Sequence, residues 1–318
     1  MSDFYFDFET PIKDLDNEIL ELQSVKDPDE TIRKKITKLQ TDREKQIHKI
    51  FSKINRWQKV QIARHPNRPY SQDYFNLWTD NFLELHGDRH YGDDPSIIAG
   101  FGTLQEQPVL FLGQQKGRNT NENLYRNFGM MRPEGYRKAL RLMKLAEKFH
   151  IPIVSLIDTP GAYPGLDAEE RGQGEAIAKN LMEMSKLKVP IVAVVIGEGA
   201  SGGALGIGIC DSFLMMENTW FSVISPEGCA SILWRDASKA SSAAESLQLT
   251  AEDLKKMGIC DKIIQEPIGG AHRNWEEAAA ILKNVILKEL NVLMEIPSDS
   301  FLTRRIDKYD QMGVFSDS

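Results

Sequence analysis

From Ile97 onward the chain alternates between two hydrophobic rhythms. Near-continuous apolar runs, "PVLFLGQQKG", "IPIVSLIDTPGAYPG" and "VPIVAVVIGEGASGG", each close in a glycine-bearing loop. Between them stand segments whose apolar residues recur three and four apart. "RPEGYRKALRLMKLAEKFH" places Ala139, Leu142, Leu145 and Ala146 on one side, and "AEERGQGEAIAKNLMEMSKLK" follows the same rule. A short apolar run bounded by Gly or Pro reads as a buried strand, and the longer rhythm reads as an amphipathic helix. The alternation predicts an α/β core with parallel strands. "ALGIGICD" opens a short helix of small residues. "SFLMMEN", "WFSVIS" and, at an edge, "CDKIIQEP" are further strands. "TAEDLKKMG" carries an N-cap, Thr250, and a terminal Gly258, and "NWEEAAAILKNVILKELNVL" is a long helix.

The two ends follow other patterns. Residues 10–58 read as a helical hairpin: Ile12, Leu15, Ile19 and Leu22 form one stripe, Asp27-Pro28-Asp29 breaks it, and Ile32, Ile36, Leu39, Ile47, Ile50 and Ile54 form a second. Such a hairpin packs on its own domain or on a second subunit. The segment from Trp57 to Ser96 mixes Arg, His, Tyr and Trp and reads as a connector across a surface. The last residues have weak apolar spacing and are expected to fray. The expected division is a hairpin and arm over 1–60, a main domain over 61–295 and a tail over 296–318.

Composition narrows the function. The 318 residues are 41% hydrophobic and 27% charged, as in ordinary globular proteins. A net charge of −7 offers no general field for nucleic acid. No apolar run reaches the roughly 20 residues of a membrane helix, and the N-terminus shows no secretory pattern. Cys210, Cys229 and Cys260 lack C-x-x-C spacing, which argues against disulfides and structural zinc and for a reducing cytoplasm. His65, His86 and His90 are candidate metal ligands, but no H-E-x-x-H occurs here and satisfied histidines are the stronger reading.

Gly197, Gly199 and Gly202 spell G-x-G-x-x-G, the dinucleotide fingerprint. Two features oppose that use. The fingerprint normally follows the first strand of its domain, and here strand–helix units precede it. The glycines also run on through Gly203, Gly206 and Gly208, where interior glycines cost a helix about 1 kcal/mol each relative to Ala. Such a helix requires backbone packed on backbone. A strand–Gly-Gly–helix junction has a more general use: its N–H groups point outward, and Gly202 and Gly203 let an oxyanion approach them. "DTPGAYPG", Asp158 to Gly165, ends the preceding strand, so the two loops are expected side by side. Without a G-x-x-x-x-G-K-[ST], D-T-P-G is no nucleotide-hydrolase signal. Ser201 has no evident His–acid pair. Glu198 and Glu227 are candidate bases or simple capping and surface carboxylates.

Eight segments in order, "WQKVQIARHPNRPYSQDY", "ELHGDRHYGDDPSIIAG", "GQQKGR", "NFGMMRPEGYRKALRLMKLAEKF", "DTPGAYPG", "AEERGQGEAIA", "GEGASGGALGIG" and "SVISPEGCASILW", closely resemble the alpha subunit family of the bacterial acetyl-CoA carboxylase carboxyltransferase. The resemblance spans about Ile12 to Asn274. One departure is Asn55-Arg56, where a Thr-Pro pair is common. The resemblance implies a crotonase-like fold, a ββα spiral core, here with the N-terminal helical hairpin. It implies carboxyl transfer from carboxybiotin on a biotin carboxyl carrier protein to acetyl-CoA, giving malonyl-CoA for fatty acid biosynthesis. Biotin would sit on the carrier and not on this chain, and no metal is expected in this subunit. Partners would be a beta subunit, as α2β2, the carrier and biotin carboxylase, with no membrane and no nucleic acid. By the same resemblance Gly202 and Gly203 donate backbone N–H groups to the biotin oxyanion. Gly161, Ala162 and Arg132 are the expected substrate-side residues. Competing readings are a stand-alone crotonase-like acyl-CoA hydratase or hydrolase, a carboxyltransferase for another acyl-CoA such as propionyl-CoA, and a non-catalytic scaffold.

Overall fold

The computed structural model describes residues 4–313. In chain order the helices are α1 Thr10–Gln23, α2 Glu30–Phe51, α3 Arg56–Ala63, α4 Ser71–Trp78, α5 Thr120–Tyr125, α6 Pro133–Lys148, α7 Leu166–Glu170, α8 Gln173–Lys186, α9 Ser201–Leu205, α10 Pro226–Trp234, α11 Ala240–Leu247, α12 Ala251–Lys256, α13 Trp275–Met294 and α14 Phe301–Asp310. The strands are β1 Leu83–Glu84, β2 Ile97–Leu104, β3 Gln107–Gln114, β4 Ile153–Thr159, β5 Ile191–Ala200, β6 Ser212–Met216, β7 Trp220–Ser222 and β8 Lys262–Ile264.

The strands form one sheet in the order β1-β2-β3-β4-β5-β6-β8, with β7 paired to the end of β5. β1, β2 and β3 are antiparallel to one another, and from β3 onward every pairing is parallel. The parallel strands are apolar throughout because both faces are covered. Ile191, Ala193 and Val195 pack with Leu142 of α6 and Met184 of α8. Val192, Val194 and Ile196 pack on the other side with Phe75 of α4 and Leu282 of α13. The α/β class and the edge position of β8 follow the sequence pattern. Among the described residues no helix is long and apolar enough to cross a membrane.

The structure departs from the pattern in three places. The single helix expected over "AEERGQGEAIAKNLMEMSKLK" is two, α7 and α8, because Gly172 turns the chain at φ +83°. The turn lets Gln173 Nε2 donate to the carbonyls of Met131 and Tyr163, which pins the loop after β4. The connector contains two short helices, α3 and α4. Finally, the tail does not fray across the described residues. Arg305 of α14 is buried and donates to both carboxylate oxygens of Asp211 and to the carbonyls of Met184, Leu187 and Val189. Weak apolar spacing missed this because the anchor is polar. Residues 314–318 of that tail lie outside the described residues.

The hairpin forms as α1 and α2. Ile12, Ile19 and Ile47 are buried, while Leu20 and Val25 at its far end are exposed. Its base is tied to the main body through Glu9, which accepts from Arg273 at 2.6 Å.

Candidate active site

β3, β4 and β5 are parallel neighbours, so their C-terminal loops converge. β5 delivers Gly197 to Gly203, β4 delivers Asp158 to Gly165, and β3 delivers Gln114 to Lys116. The β4–β5 register pairs Ile157 with Val195 and then Thr159 with Gly199, so the ladder is interrupted between them. Side chains supply what the ladder omits. Gln114 Oε1 accepts from the Asp158 N–H at 3.1 Å, and Asp158 Oδ1 accepts from the Glu198 N–H at 3.0 Å.

The glycines of the fingerprint have separate reasons to be glycine. A Cβ on Gly197 would lie 2.3 Å from Asp158 Oδ1, and one on Gly199 would lie 2.6 Å from the Phe221 ring. Each space is filled by protein atoms. A Cβ on Gly203 would lie 2.3 Å from the Gly161 carbonyl carbon and 2.5 Å from the Ala162 nitrogen. The backbones of the two expected loops therefore touch, as the glycine-rich helix requires. Gly202 differs, since a Cβ there would meet nothing nearer than Ile177 at 3.6 Å. Gly161, at φ +151°, has nothing within 4 Å of where a Cβ would stand, and Thr159 Oγ1 holds its loop by donating to the Gly161 carbonyl at 2.7 Å. α9 starts at this junction, and first-turn N–H groups have no partner within their own helix.

Arg132 sits at the N-cap of α6, where its N–H donates to Asp94 Oδ2 at 2.7 Å. Its guanidinium lies over the Tyr163 ring, 4.5 Å from the centroid, and 3.4 Å from Asp167. It thus borders the β4 loop and is half-buried by it.

An ion network that the sequence did not reveal underlies both loops. Lys116 Nζ donates to Asp158 Oδ1 at 2.6 Å and to Glu198 Oε1 at 2.8 Å. Arg64 Nε donates to Glu198 Oε2 at 2.6 Å and its Nη1 to Glu227. Burial opposes the Glu198 charge, but Lys116 and Arg64 outweigh it and hold the carboxyl below its ordinary range. Glu198 is therefore a fixed anion and not a poised base. Burial likewise opposes the Lys116 charge, and the two carboxylates raise its pKa. Arg64, Tyr70, Lys116, Phe128, Pro160 and Glu198 border a cavity of about 290 Å³. The signal that could have found Lys116 is its place two residues past the end of β3, beside two other strand ends.

Gly199-Ala200-Ser201-Gly202-Gly203 also spells G-x-S-x-G, a pattern hidden inside the longer glycine run. Ser201 has φ +58° on a strand-to-helix turn, the backbone of a nucleophile elbow. Among the described residues, no hydrogen bond joins its hydroxyl to a His or a carboxylate, so the elbow lacks the base its serine needs.

Glu9, His65 and His272 place ligand atoms within 4.8 Å of one another. The two imidazoles stack with centroids 4.0 Å apart at 20°, so their in-plane lone pairs run alongside each other and do not converge on an ion. His65 Nδ1 accepts from the Asn67 N–H, and Nε2 faces the Phe4 carbonyl at 3.3 Å. His65 is thus the satisfied histidine that its sequence context favoured.

The sheet, parallel from β3 onward, presses two glycine loops together at adjacent strand ends in a crotonase-like fold. The acetyl co-enzyme A carboxylase carboxyltransferase-like family model matches residues 5–313, and the chain belongs to that family. The acetyl-coenzyme A carboxylase carboxyl transferase subunit alpha of Chlorobium luteolum is 56% identical over 294 residues, covering 91% of this chain and 86% of the relative. The subunit of the same name from Xanthomonas campestris pv. campestris is 53% identical over 316 residues, 99% of each chain. Solved structures share the fold. Transcarboxylase 12S with methylmalonyl-coenzyme A aligns at TM-score 0.58 and 19% identity, over 73% of this chain and 44% of that one. A Pseudomonas malonate decarboxylase hetero-tetramer with coenzyme A aligns at 0.58 and 14%, over 74% and 92%.

Proposed function

We propose that this chain is the alpha half of a biotin-dependent carboxyltransferase that moves a carboxyl group from carboxybiotin to acetyl-CoA, yielding malonyl-CoA for fatty acid biosynthesis. The carrying observation is the α9 start, where Gly202 is half-buried with room for a Cβ beside Ile177 and Gly203 rests on the Gly161–Ala162 backbone. Biotin, brought by its carrier, supplies a ureido group that holds the carboxyl and takes up negative charge on its release. Gly202 and Gly203 would donate their N–H groups to the ureido oxygen, and the α9 start would favour the negative charge. Gly161 and Ala162 fix Gly203 from behind and leave the approach clear. Arg132, stacked on Tyr163, borders the substrate side. Lys116 and Arg64 keep Glu198 ionised and hold the strand ends in place.

The subunit alpha names of the relatives support a beta subunit as partner, in an α2β2 assembly served by the carrier protein and biotin carboxylase. Three free, buried cysteines suit a cytoplasmic setting. The G-x-S-x-G match favours a stand-alone hydrolase, but Ser201 has no paired base.

The chain is expected to be inactive alone and to transfer carboxyl between malonyl-CoA and biotin once the beta subunit is added. Activity of the chain alone would move the reading to the hydrolase. Comparing acetyl-CoA with propionyl-CoA in the same assay fixes the substrate. Gly203→Val does not test the oxyanion role, because its side chain would enter the Gly161 backbone whatever binds. Gly202→Ala does. Its methyl meets no atom of this chain closer than 3.6 Å, so the fold is expected to persist while a side chain is added next to the proposed donors. Transfer is expected to fall by roughly tenfold or more, within the range for weakening one oxyanion donor. An assembled Gly202→Ala enzyme with full activity would sink the role.

A further inference from the structure

The end of β3 carries an amide that joins the two glycine loops from beneath. Gln114 is fully buried. Its Oε1 accepts from the Asp158 N–H at 3.1 Å, and its Nε2 donates to the Gly203 carbonyl at 2.8 Å. The amide orientation is fixed by its partners, since an N–H can only donate and a carbonyl can only accept. One side chain on β3 therefore reaches the β4 loop and the α9 start together. The backbone of Gln114 is held in turn by Ser71 Oγ, which donates to its carbonyl at 2.8 Å.

Gly203 has no side chain to limit its rotation, and glycine loses the most conformational freedom when ordered. Its contact with Gly161 and Ala162 blocks movement toward that loop, but contact alone does not set the twist of the flanking peptides. A hydrogen bond on the Gly203 carbonyl fixes the Gly203–Ala204 peptide that follows it. Anchoring Asp158 on the same amide keeps the opposing loop in step. Donors aimed before the reaction need no reorganisation during it.

We propose that Gln114 is a positioning residue of this site: by bridging the Asp158 N–H and the Gly203 carbonyl, its amide locks the Gly203–Ala204 peptide to the β4 loop and so braces the α9 start that carries the Gly202 and Gly203 N–H groups. The proposal rests on the oxyanion role of those two glycines. Met131, whose sulfur lies 3.5 Å from Nε2, and Ser71 are the uncharged neighbours, while the charged groups on the same strand ends are Asp158, Lys116 and Glu198.

The test uses the assembled enzyme with malonyl-CoA and biotin. Gln114→Met keeps the bulk and loses both bonds. Its kcat is expected to fall tenfold or more, with KM for malonyl-CoA within about twofold, because donor aim matters most when charge has developed. Gln114→Glu keeps the acceptor for Asp158 and can donate to Gly203 only when protonated. Burial raises the pKa of that carboxyl. Its activity relative to the unaltered enzyme is therefore expected to climb as pH is lowered from 8.5 to 6. A Gln114→Met enzyme with unchanged kcat, a Gln114→Glu profile parallel to the unaltered one, or loss of assembly in both variants would overturn the proposal. The two readings separate on Gly202→Ala. Full activity there removes the oxyanion role itself. A loss there, beside unaffected Gln114 variants, removes only the bridge.

Discussion

Among the described residues Lys116 is the one cation shared by Asp158 and Glu198, and all three side chains are nearly buried. Removing one partner of a buried pair costs about 3–5 kcal/mol, because a charge is left without compensation. Lys116→Met is expected to lower unfolding stability by that order in urea titrations, and adding Glu198→Gln is expected to recover part of the loss. An additive double variant would mean that the pair is not coupled. The sequence shows Q-Q-K, D-T-P-G and G-E-G after three apolar runs, and it correctly predicts that the glycine loops meet. It does not show that Lys116, Asp158 and Glu198 meet, because that depends on strand order and on the interrupted β4–β5 register. Gly197 and Gly199 illustrate the same limit. Their spacing matches a cofactor motif, but each is glycine to make room for one particular neighbour, Asp158 or Phe221.

The elements best legible were those with a strong apolar rhythm: β3, β4, β5, α6 and α13. Those held by polar contacts were missed or misjudged, and α14 is the clearest case. Its buried Arg305 replaces an apolar stripe, binding Asp211, whose Oδ2 also accepts from the Ile191 N–H at the start of β5. Lys308 on the same helix pairs with the half-exposed Asp261. Arg305→Met is expected to cost about 3 kcal/mol or more, whereas Lys308→Met is expected to cost less, since its carboxylate partner is half-exposed and it otherwise makes only one bond, to the Asp211 carbonyl. Thermal melts of the two variants side by side check the contrast. Equal shifts would show that α14 is held by its general packing and not by the Arg305 clamp.

Across the whole molecule, buried titratable groups set the acid limit. Burial, reinforced by His272, lowers the His65 pKa to about 3 from 6.5. Between those values the unfolded chain binds a proton that the folded chain refuses. Stability is therefore complete above pH 6.5 and falls as pH drops toward 3, by ~1.4 kcal/mol per pH unit for this group. At Glu266 burial opposes the charge, but Arg68 outweighs it and holds the pKa at about 2, so that contribution is lost only as pH falls from 4.5 toward 2. The melting temperature is thus expected to decline already between pH 6.5 and 5, before Glu266 titrates, with His272, whose pKa burial also lowers, adding to the fall. His65→Gln is expected to flatten that limb. An unchanged slope in the variant would place the acid sensitivity elsewhere.

The interrupted β4–β5 ladder also gives the site its own reporters. The amides of Asp158 and Glu198 are protected by side chains, Gln114 and Asp158 in turn, and not by strand pairing. Their hydrogen–deuterium exchange therefore records whether the wiring beneath the two loops is intact. It can do so in the subunit by itself, before any partner or substrate is present, and it separates a chain that has folded from one whose two glycine loops are also in register.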